Sequence, residues 1–580
     1  MSDVVRTGAE PLLSVIIPTH DVEPWIDDLV GSILASSLHD IEVLAVDDHS
    51  RDGTRVRLEE LADVDPRVRV VVAHGTGGAN ARNVGLNAAA GKYVAFADGD
   101  DVIPPGAYER LIASLEESGS DMAFGDWLKF SSNRTWQPSR NWKAFDVDRI
   151  GVPFTSVPAL IRGRAVWNKV IRRAFIDEVG LRFPEVPRSN DIVPMTHLYM
   201  RARQIDVLAD CVYLYRDRPG TGSMTSRAGA DVAATSYFTQ ETACARMVAA
   251  KGDASLSRVY SALVYDADSW LHLSRFLTSV AGAEAIGDDV VQSVQGLVAA
   301  APQDALNRTT AHKRVLWALV ASGHLGAAHS FNAVEEPARS GGAYDVTAFR
   351  VWVDALRVVV DNEEILPRVQ RERLVVDGLV TLGLHHAHTL KDDQLRALLE
   401  HVRDSGVMAH VEPMNITNPK LRAMAVALAD QDAASVRLLA GTRDLRLVVD
   451  EVHLSGRTAE LAGPVPDGGG SFTLRLIARR LESEPIVVLE AKVSGDRWSS
   501  CVPISDLADP GRWELVAELA TSATAVELPV VTARMPLPVA TRADRIQVYS
   551  DRTRGWRVVL ESRRPMTMRA AARLARRVRT

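Results

Sequence analysis

Cysteine is scarce in this chain: Cys211, Cys244 and Cys501 are the only three in 580 residues. A set so sparse and odd excludes a disulfide framework and any thiolate metal cage, and it favours a reducing compartment. Long hydrophobic runs are missing as well; none approaches the roughly 20 residues that cross a bilayer. The opening MSDVVRTGAEP lacks a basic stretch followed by an apolar one, which predicts no signal peptide and a cytoplasmic protein. Positive charge is in deficit, at a net −7, which argues against nucleic acid as a partner. What the chain does have is a globular balance, 46% hydrophobic and 24% charged. Its length predicts roughly three or four domains.

The period of the apolar residues changes twice along the chain. Over the first stretch, β-rich runs at 13–17, 41–46, 68–72 and 93–97 alternate with helical spacing at 23–37, 54–62, 78–89 and 105–117. Continuously apolar strands joined by helical crossovers predict a parallel sheet covered on both faces. In such sheets ligands bind outside the C-terminal strand ends, so the segments 18–21, 47–52 and 98–101 are expected together. From about 231 to 441 the spacing is helical, with punctuation at Gly341-Gly342 and near Pro419. From 445 onward it alternates in twos between Gly, Pro and Asp turns, which predicts a β-sandwich. The expected organisation is an α/β domain at 1–230, an α-helical middle region at 231–441, an all-β sandwich at 442–562 and a basic tail at 563–580.

Chemistry concentrates at the predicted strand ends. After Phe96-Ala97 the chain turns abruptly acidic as Asp98-Gly99-Asp100-Asp101. Crowded carboxylates repel unless a cation neutralises them. Hard divalent ions, Mn²⁺ or Mg²⁺, suit such oxygens and leave positions open for phosphate. An acidic turn capping the next helix would have the same composition. A second acidic exit, Val46-Asp47-Asp48-His49-Ser50-Arg51-Asp52-Gly53-Thr54, could bind a base or ribose, or simply cap a helix through Asp52 or Thr54. The loop Gly75-Thr76-Gly77-Gly78 precedes a helix whose N-terminus favours anions, and Arg82 lies one turn in.

Taken jointly, these residues resemble the inverting GT-A glycosyltransferases of family 2. The matching segments are Ser14-Val15-Ile16-Ile17-Pro18-Thr19-His20-Asp21, the run from Val46 to Thr54, Ala81-Arg82-Asn83-Val84-Gly85-Leu86 and Ala97-Asp98-Gly99-Asp100-Asp101. The resemblance implies a nucleotide-diphosphate sugar donor, usually UDP-linked, with Pro18, Asp21 and Asp47 near the nucleotide. It implies that Asp98 and Asp100 form the metal–sugar motif, with Asp100 the direct ligand. Trp167-Asn168-Lys169-Val170 resembles the family's acceptor-side strand, which nominates Asn168 and Lys169. Arg188-Ser189-Asn190-Asp191 stands where relatives often carry Glu-Asp; Asn190 departs from that pattern, and Asp191 is the candidate general base. The segment from Arg216 to Thr225 resembles a loop closing over the diphosphate, with Arg218, Ser223 and Thr225 as donors.

The wider plan is similar to bacterial wall teichoic acid glycosyltransferases. It implies a metal-dependent inverting transfer from a nucleotide sugar to a hydroxyl of a cell-envelope glycopolymer, with homo-oligomerisation or polymer binding through the β-domain. The Arg-rich tail could dock on anionic lipid at the inner face of the membrane. Trp498, Trp513 and Trp556 are expected in the β-core rather than stacked on sugar, and His385-His386-Ala387-His388 in a helix or loop end rather than on a metal. The competing expectation is a non-catalytic glycan-binding scaffold with a degenerate transferase domain, motivated by Asn190.

Overall fold

A computed structural model describes residues 10–218, 230–302, 305–342, 344–361, 368–441, 446–455, 458–465, 473–480, 486–503, 511–520, 525–532, 546–551 and 557–562. Ser223, Thr225, Trp556 and the basic tail lie outside the described residues. The chain packs as two compact units, residues 1–332 and 333–580. Among the described residues no helix is long and apolar enough to cross a membrane.

The first unit begins with strands and helices in alternation: β1 (Leu13–Thr19), α1 (Ile26–Leu34), β2 (Ile41–Asp47), α2 (Thr54–Val64), β3 (Val68–Val72), α3 (Gly78–Ala88), β4 (Tyr93–Phe96) and α4 (Ala107–Ser118). There follow β5 (Met122–Phe130), β6 (Thr135–Trp136), β7 (Arg149–Val152), β8 (Lys169–Arg172), α5 (Arg173–Val179), α6 (Ile192–Arg201) and β9 (Ile205–Arg216). The sheet order is β3-β2-β1-β4-β8-β5-β9-β7, with β6 paired on β5. The first four strands are parallel, as their unbroken apolar runs predict; every residue of β2 and β4 is buried. β8 inserts antiparallel between β4 and β5. Helix α3 lies close on β1 because Gly85 carries no side chain: a Cβ there would stand 2.3 Å from Ile16 Cγ2.

Helices complete this unit: α7 (Ala230–Lys251), α8 (Ala254–Leu263), α9 (Ser269–Ser279), α10 (Asp288–Ala299) and α11 (Ala311–Ala321). Within the helically spaced region, α8 and α9 are joined by a π-helical turn at Val264–Asp268. That turn frees the carbonyl of Tyr265 to accept from Trp317 Nε1 at 3.0 Å, and the Tyr265 hydroxyl donates to Leu297 O at 2.9 Å. The core of this layer is therefore pinned by polar contacts at its centre.

The second unit opens with helices, among them Val346–Val360, Asp392–Ser405 and Pro419–Ala429, the last capped by the Asn418 side chain. The His385 and His386 pair ends a helix, Thr381–His386. After it comes a sheet whose strands pair antiparallel except where Leu447–Val449 runs parallel to Ala525–Thr532. The strand Ile486–Ser494 pairs with Thr473–Arg480 through its first half and with Arg497–Pro503 through its second, so it joins the two parts of that sheet. Trp498 and Trp513 are 1% and 2% exposed, core residues as β-strand tryptophans usually are.

Candidate active site

Three loops leave the C-terminal ends of β1, β2 and β4 on one edge of the sheet. At the first two the backbone is held by side chains across the gap. Asp48 N–H donates to Thr19 O at 2.8 Å, Arg51 N–H to Asp21 Oδ1 at 2.7 Å, and His20 Nδ1 lies 2.6 Å from Asp48 O. Asp47 is buried, with Oδ1 accepting from Ser50 N–H at 3.3 Å. Asp48 is buried too; its Oδ2 accepts from Gly77 N–H at 2.8 Å while Oδ1 has no partner among the described residues. Burial raises the Asp48 carboxyl, against the pull of the Gly77 amide, His20 and His49. Five non-glycine residues among those described have positive φ, and three of them, Asp21, His49 and Ser189, sit in the loops of this site. Such conformations cost about 1–3 kcal/mol each and persist where surrounding structure imposes them.

The acidic run is built in two layers. Asp101 is fully buried and structural: Tyr213 Oη donates to its Oδ2 at 2.7 Å and Arg216 N–H to its Oδ1 at 2.7 Å. The same hydroxyl accepts from Asp98 N–H at 3.0 Å. The end of β9 thus fixes the turn, while the side chains of Asp98 and Asp100 stay partly exposed, at 31% and 14%. Each then carries one guanidinium. Arg82 NH2 donates to Asp98 Oδ1 at 3.1 Å, and Arg218 Nε to Asp100 Oδ2 at 2.7 Å. Burial raises the Asp100 carboxyl, opposed chiefly by Arg218. The same desolvation, with Asp98 and Asp100 beside it, raises Asp101.

Arg82 joins this acidic turn to the base loop. Its other terminal nitrogen donates to Asn190 Oδ1 at 3.0 Å, and its plane lies 5.6 Å from the Phe183 ring. Asn190 therefore keeps the oxygen that a glutamate would offer there, without the charge. Asp191 occupies the N-cap position of α6, yet its side chain makes no capping hydrogen bond. The carboxylate is not spent on the helix. Burial raises its pKa, opposed by Arg82 and Arg164, with Asp98 adding to the rise.

Asn168 and Lys169 are both buried behind this loop. Asn168 Nδ2 donates to Gly125 O at 2.8 Å and Lys169 Nζ to Asn168 Oδ1 at 2.6 Å. Burial pushes the Lys169 ammonium down to about 7, against the attraction of Asp191. These two side chains hold the floor of the site rather than present groups to solvent. Pro18, in β1, pairs with Val46 in register. The contributions of Asp48, Tyr213, Arg216 and Arg164 are absent from the sequence reading; only the neighbouring acids hinted at Asp48.

Residues 14–178 match the sequence model of glycosyl transferase family 2. This segment is a family 2 glycosyltransferase domain. The chain is 30% identical over 219 residues to the uncharacterized glycosyltransferase EpsJ of Bacillus subtilis, covering 36% of this chain and 62% of that protein. It is 26% identical over 223 residues to the glycosyltransferase GlyG of Streptococcus pneumoniae, covering 36% and 72%. Among solved structures it is similar to S. aureus TarS 1-349 in complex with UDP-GlcNAc, at 22% identity and a TM-score of 0.47, covering 57% of this chain and 93% of that one. The chain spans about three-fifths of EpsJ's length, and its likeness to these relatives is confined to about a third of its own. Inside the family 2 domain lie all three loops of the β1, β2 and β4 edge, whereas Asp191 and the closing strand β9 fall beyond residue 178.

Proposed function

We propose that the protein is a metal-dependent inverting glycosyltransferase, moving a sugar from a nucleotide-diphosphate donor, UDP-linked, to a hydroxyl of a cell-envelope glycopolymer such as a teichoic acid or polysaccharide. The observation that carries this reading is Arg82, one guanidinium spanning Asp98 on the acidic turn and Asn190 beside the uncapped Asp191. It brings a leaving-group side and a base side within one residue's reach.

The donor set fits a metal shared with a diphosphate. No three His, Cys, Asp or Glu side chains among the described residues gather to hold an ion alone. Mg²⁺-like ions are held by one or two carboxylates and complete their shell with phosphate and water; Asp100 and Asp98 supply that pair. A divalent ion there would neutralise charge developing on the departing diphosphate. The protein's own groups do the rest. Asp47 and Asp21 hold the nucleotide end, and Arg82 and Arg218 are placed to exchange their carboxylate partners for phosphate oxygens. The Asp191 carboxylate accepts the proton of the acceptor hydroxyl as that oxygen bonds to the anomeric carbon. The bond from that carbon to the diphosphate breaks, and the nucleoside diphosphate leaves with the electron pair. Asn168 and Lys169 support the acceptor side from beneath.

The test is nucleoside-diphosphate release by the full chain from a panel of UDP-sugars, with Mn²⁺ or with chelator. Asp191→Asn is expected to lower turnover by about 10²- to 10⁴-fold, and Asp100→Ala to abolish metal dependence. Undiminished activity in either variant overturns that residue's role. Polymer binding without any nucleotide binding would replace the whole reading with a glycan-binding scaffold.

A further inference from the structure

Ser189 has a backbone that its own sequence does not ask for. Its φ is 58°, in the left-handed region that a serine rarely enters, and it stands two residues before Asp191. The chain then runs straight into α6: Ile192 N–H donates to Ser189 O at 3.4 Å and Met195 N–H to Asp191 O at 3.0 Å. At an ordinary N-cap the backbone is extended and the side chain folds back onto the first free amides of the helix. Asp191 instead has φ −95° and ψ −26°, already helical, and makes no such bond. The left-handed step at Ser189 brings the chain into α6 early, which favours the rotamer that keeps the carboxylate off the helix.

Contacts from outside the loop hold that step, and helix α7 reaches the chain on both sides of Asp191. Ahead of it, the Ser236 hydroxyl takes both polar groups of one residue's backbone: Arg188 N–H donates to Oγ at 3.4 Å, and Oγ donates to Arg188 O at 3.0 Å. Behind it, Cys244 Sγ donates to Ile192 O at 3.5 Å. Ser236 and Cys244 are eight positions apart, which sets them on one side of the helix. Helix α7 is itself tied down by the buried pair of Glu241 with Arg164. Within the turn, Asn190 is held by Arg82. Strained backbone persists where its surroundings over-determine it. Of these holds the Cys244 thiol is the weakest donor, and Ser236 makes the two hydrogen bonds next to the strained residue.

We propose that Ser236 is a positioning residue for the reaction: by clasping Arg188 it imposes the left-handed Ser189 and so presents the Asp191 carboxylate to the acceptor hydroxyl. This rests on the glycosyltransferase reading above. Ser236 acts through Asp191 rather than on substrate. Its loss therefore lowers turnover and spares donor binding, which belongs to the loops after β1, β2 and β4. Misplacing a reacting group by about 1 Å can cost about 10²-fold in rate; Arg82 and Cys244 keep part of the hold, so the loss here is smaller.

The experiment measures nucleoside-diphosphate release by the full chain from UDP-sugars with Mn²⁺, for wild type, Ser236→Ala, Ser236→Thr and the double variant Ser236→Ala/Ser189→Gly. Ser236→Ala is expected to lower kcat about tenfold, with the donor KM and the melting-temperature rise caused by UDP unchanged. Ser236→Thr keeps the hydroxyl, and its methyl group has room in the cleft of about 530 Å³ that Ser236 lines, so it should restore most of the rate. Glycine enters the left-handed region without strain, so adding Ser189→Gly to Ser236→Ala should return about threefold of the loss. A serine that only packed α7 on the loop would not answer to a change at Ser189. Turnover of Ser236→Ala equal to wild type, beside an inactive Asp191→Asn, overturns the positioning role alone. So does a loss that Ser189→Gly leaves untouched or that appears in KM rather than kcat. No release by wild type from any UDP-sugar, or full activity in Asp191→Asn, overturns the glycosyltransferase reading and the positioning role with it.

Discussion

Replacing Arg164 by leucine would strand a carboxylate at the junction of the α/β layer and α7. Arg164 NH1 lies 2.7 Å from Glu241 Oε1, with side chains 5% and 0% exposed. The only other side-chain donor to that carboxylate among the described residues is Tyr260, whose hydroxyl is 2.5 Å from the same oxygen, and Glu241 Oε2 has no partner. Removing one member of a buried pair costs about 3–5 kcal/mol, because the survivor stays desolvated and uncompensated. At about 2–4 °C per kcal/mol for a unit of a few hundred residues, the melting temperature should fall by roughly 10 °C. The double variant Arg164→Leu/Glu241→Leu removes both charges and should recover most of that loss, since apolar replacement of a whole buried pair is often neutral. Scanning calorimetry of the wild type, both single variants and the double variant decides it. An Arg164→Leu transition within about 1 °C of wild type would refute the reasoning, as would a double variant no better than the singles. The double variant also carries a catalytic signature. Arg164 is among the cations opposing the burial that raises Asp191. Without it Asp191 rises further, and the base is active only when deprotonated, so the acidic limb of kcat/KM should move to higher pH. An unmoved limb would separate Arg164 from the base.

Three further outcomes follow from the geometry. Gly85→Ala should destabilise the first unit by about 1–3 kcal/mol, read as a lowered melting temperature, because its Cβ would press on Ile16. Tyr213→Phe takes one donor from buried Asp101 and the acceptor from Asp98 N–H; a loss of about 1–3 kcal/mol in calorimetry and slower turnover are expected. Arg218→Gln frees Asp100 of its counter-ion, so Mn²⁺ should bind more tightly without donor while UDP binds more weakly, measured by spin resonance and calorimetry; unchanged Mn²⁺ affinity would mean the pair does not hold in solution.

The sequence by itself determined the sheet and the edge at which its polar loops gather. Continuous apolar runs can be buried on both faces only in a parallel, helix-covered sheet, and β1, β2 and β4 end where the polar text begins. It determined the position of the acidic turn as well, since Asp98 and Asp100 follow directly after the apolar strand ending at Phe96. Burial of Trp498 and Trp513 was legible for the same reason, from alternation in a β-run. Tertiary structure alone decided which acid of the run is buried and held by the fold. Asp101 is indistinguishable from Asp100 in the text, and only Tyr213, 112 residues away, makes it structural. Whether Asp191 caps its helix or keeps its carboxylate free is a matter of one rotamer, which the surrounding Arg82 and Arg164 bias. Local pattern fixes which face of an element is apolar; it does not fix which distant charges that packing leaves face to face.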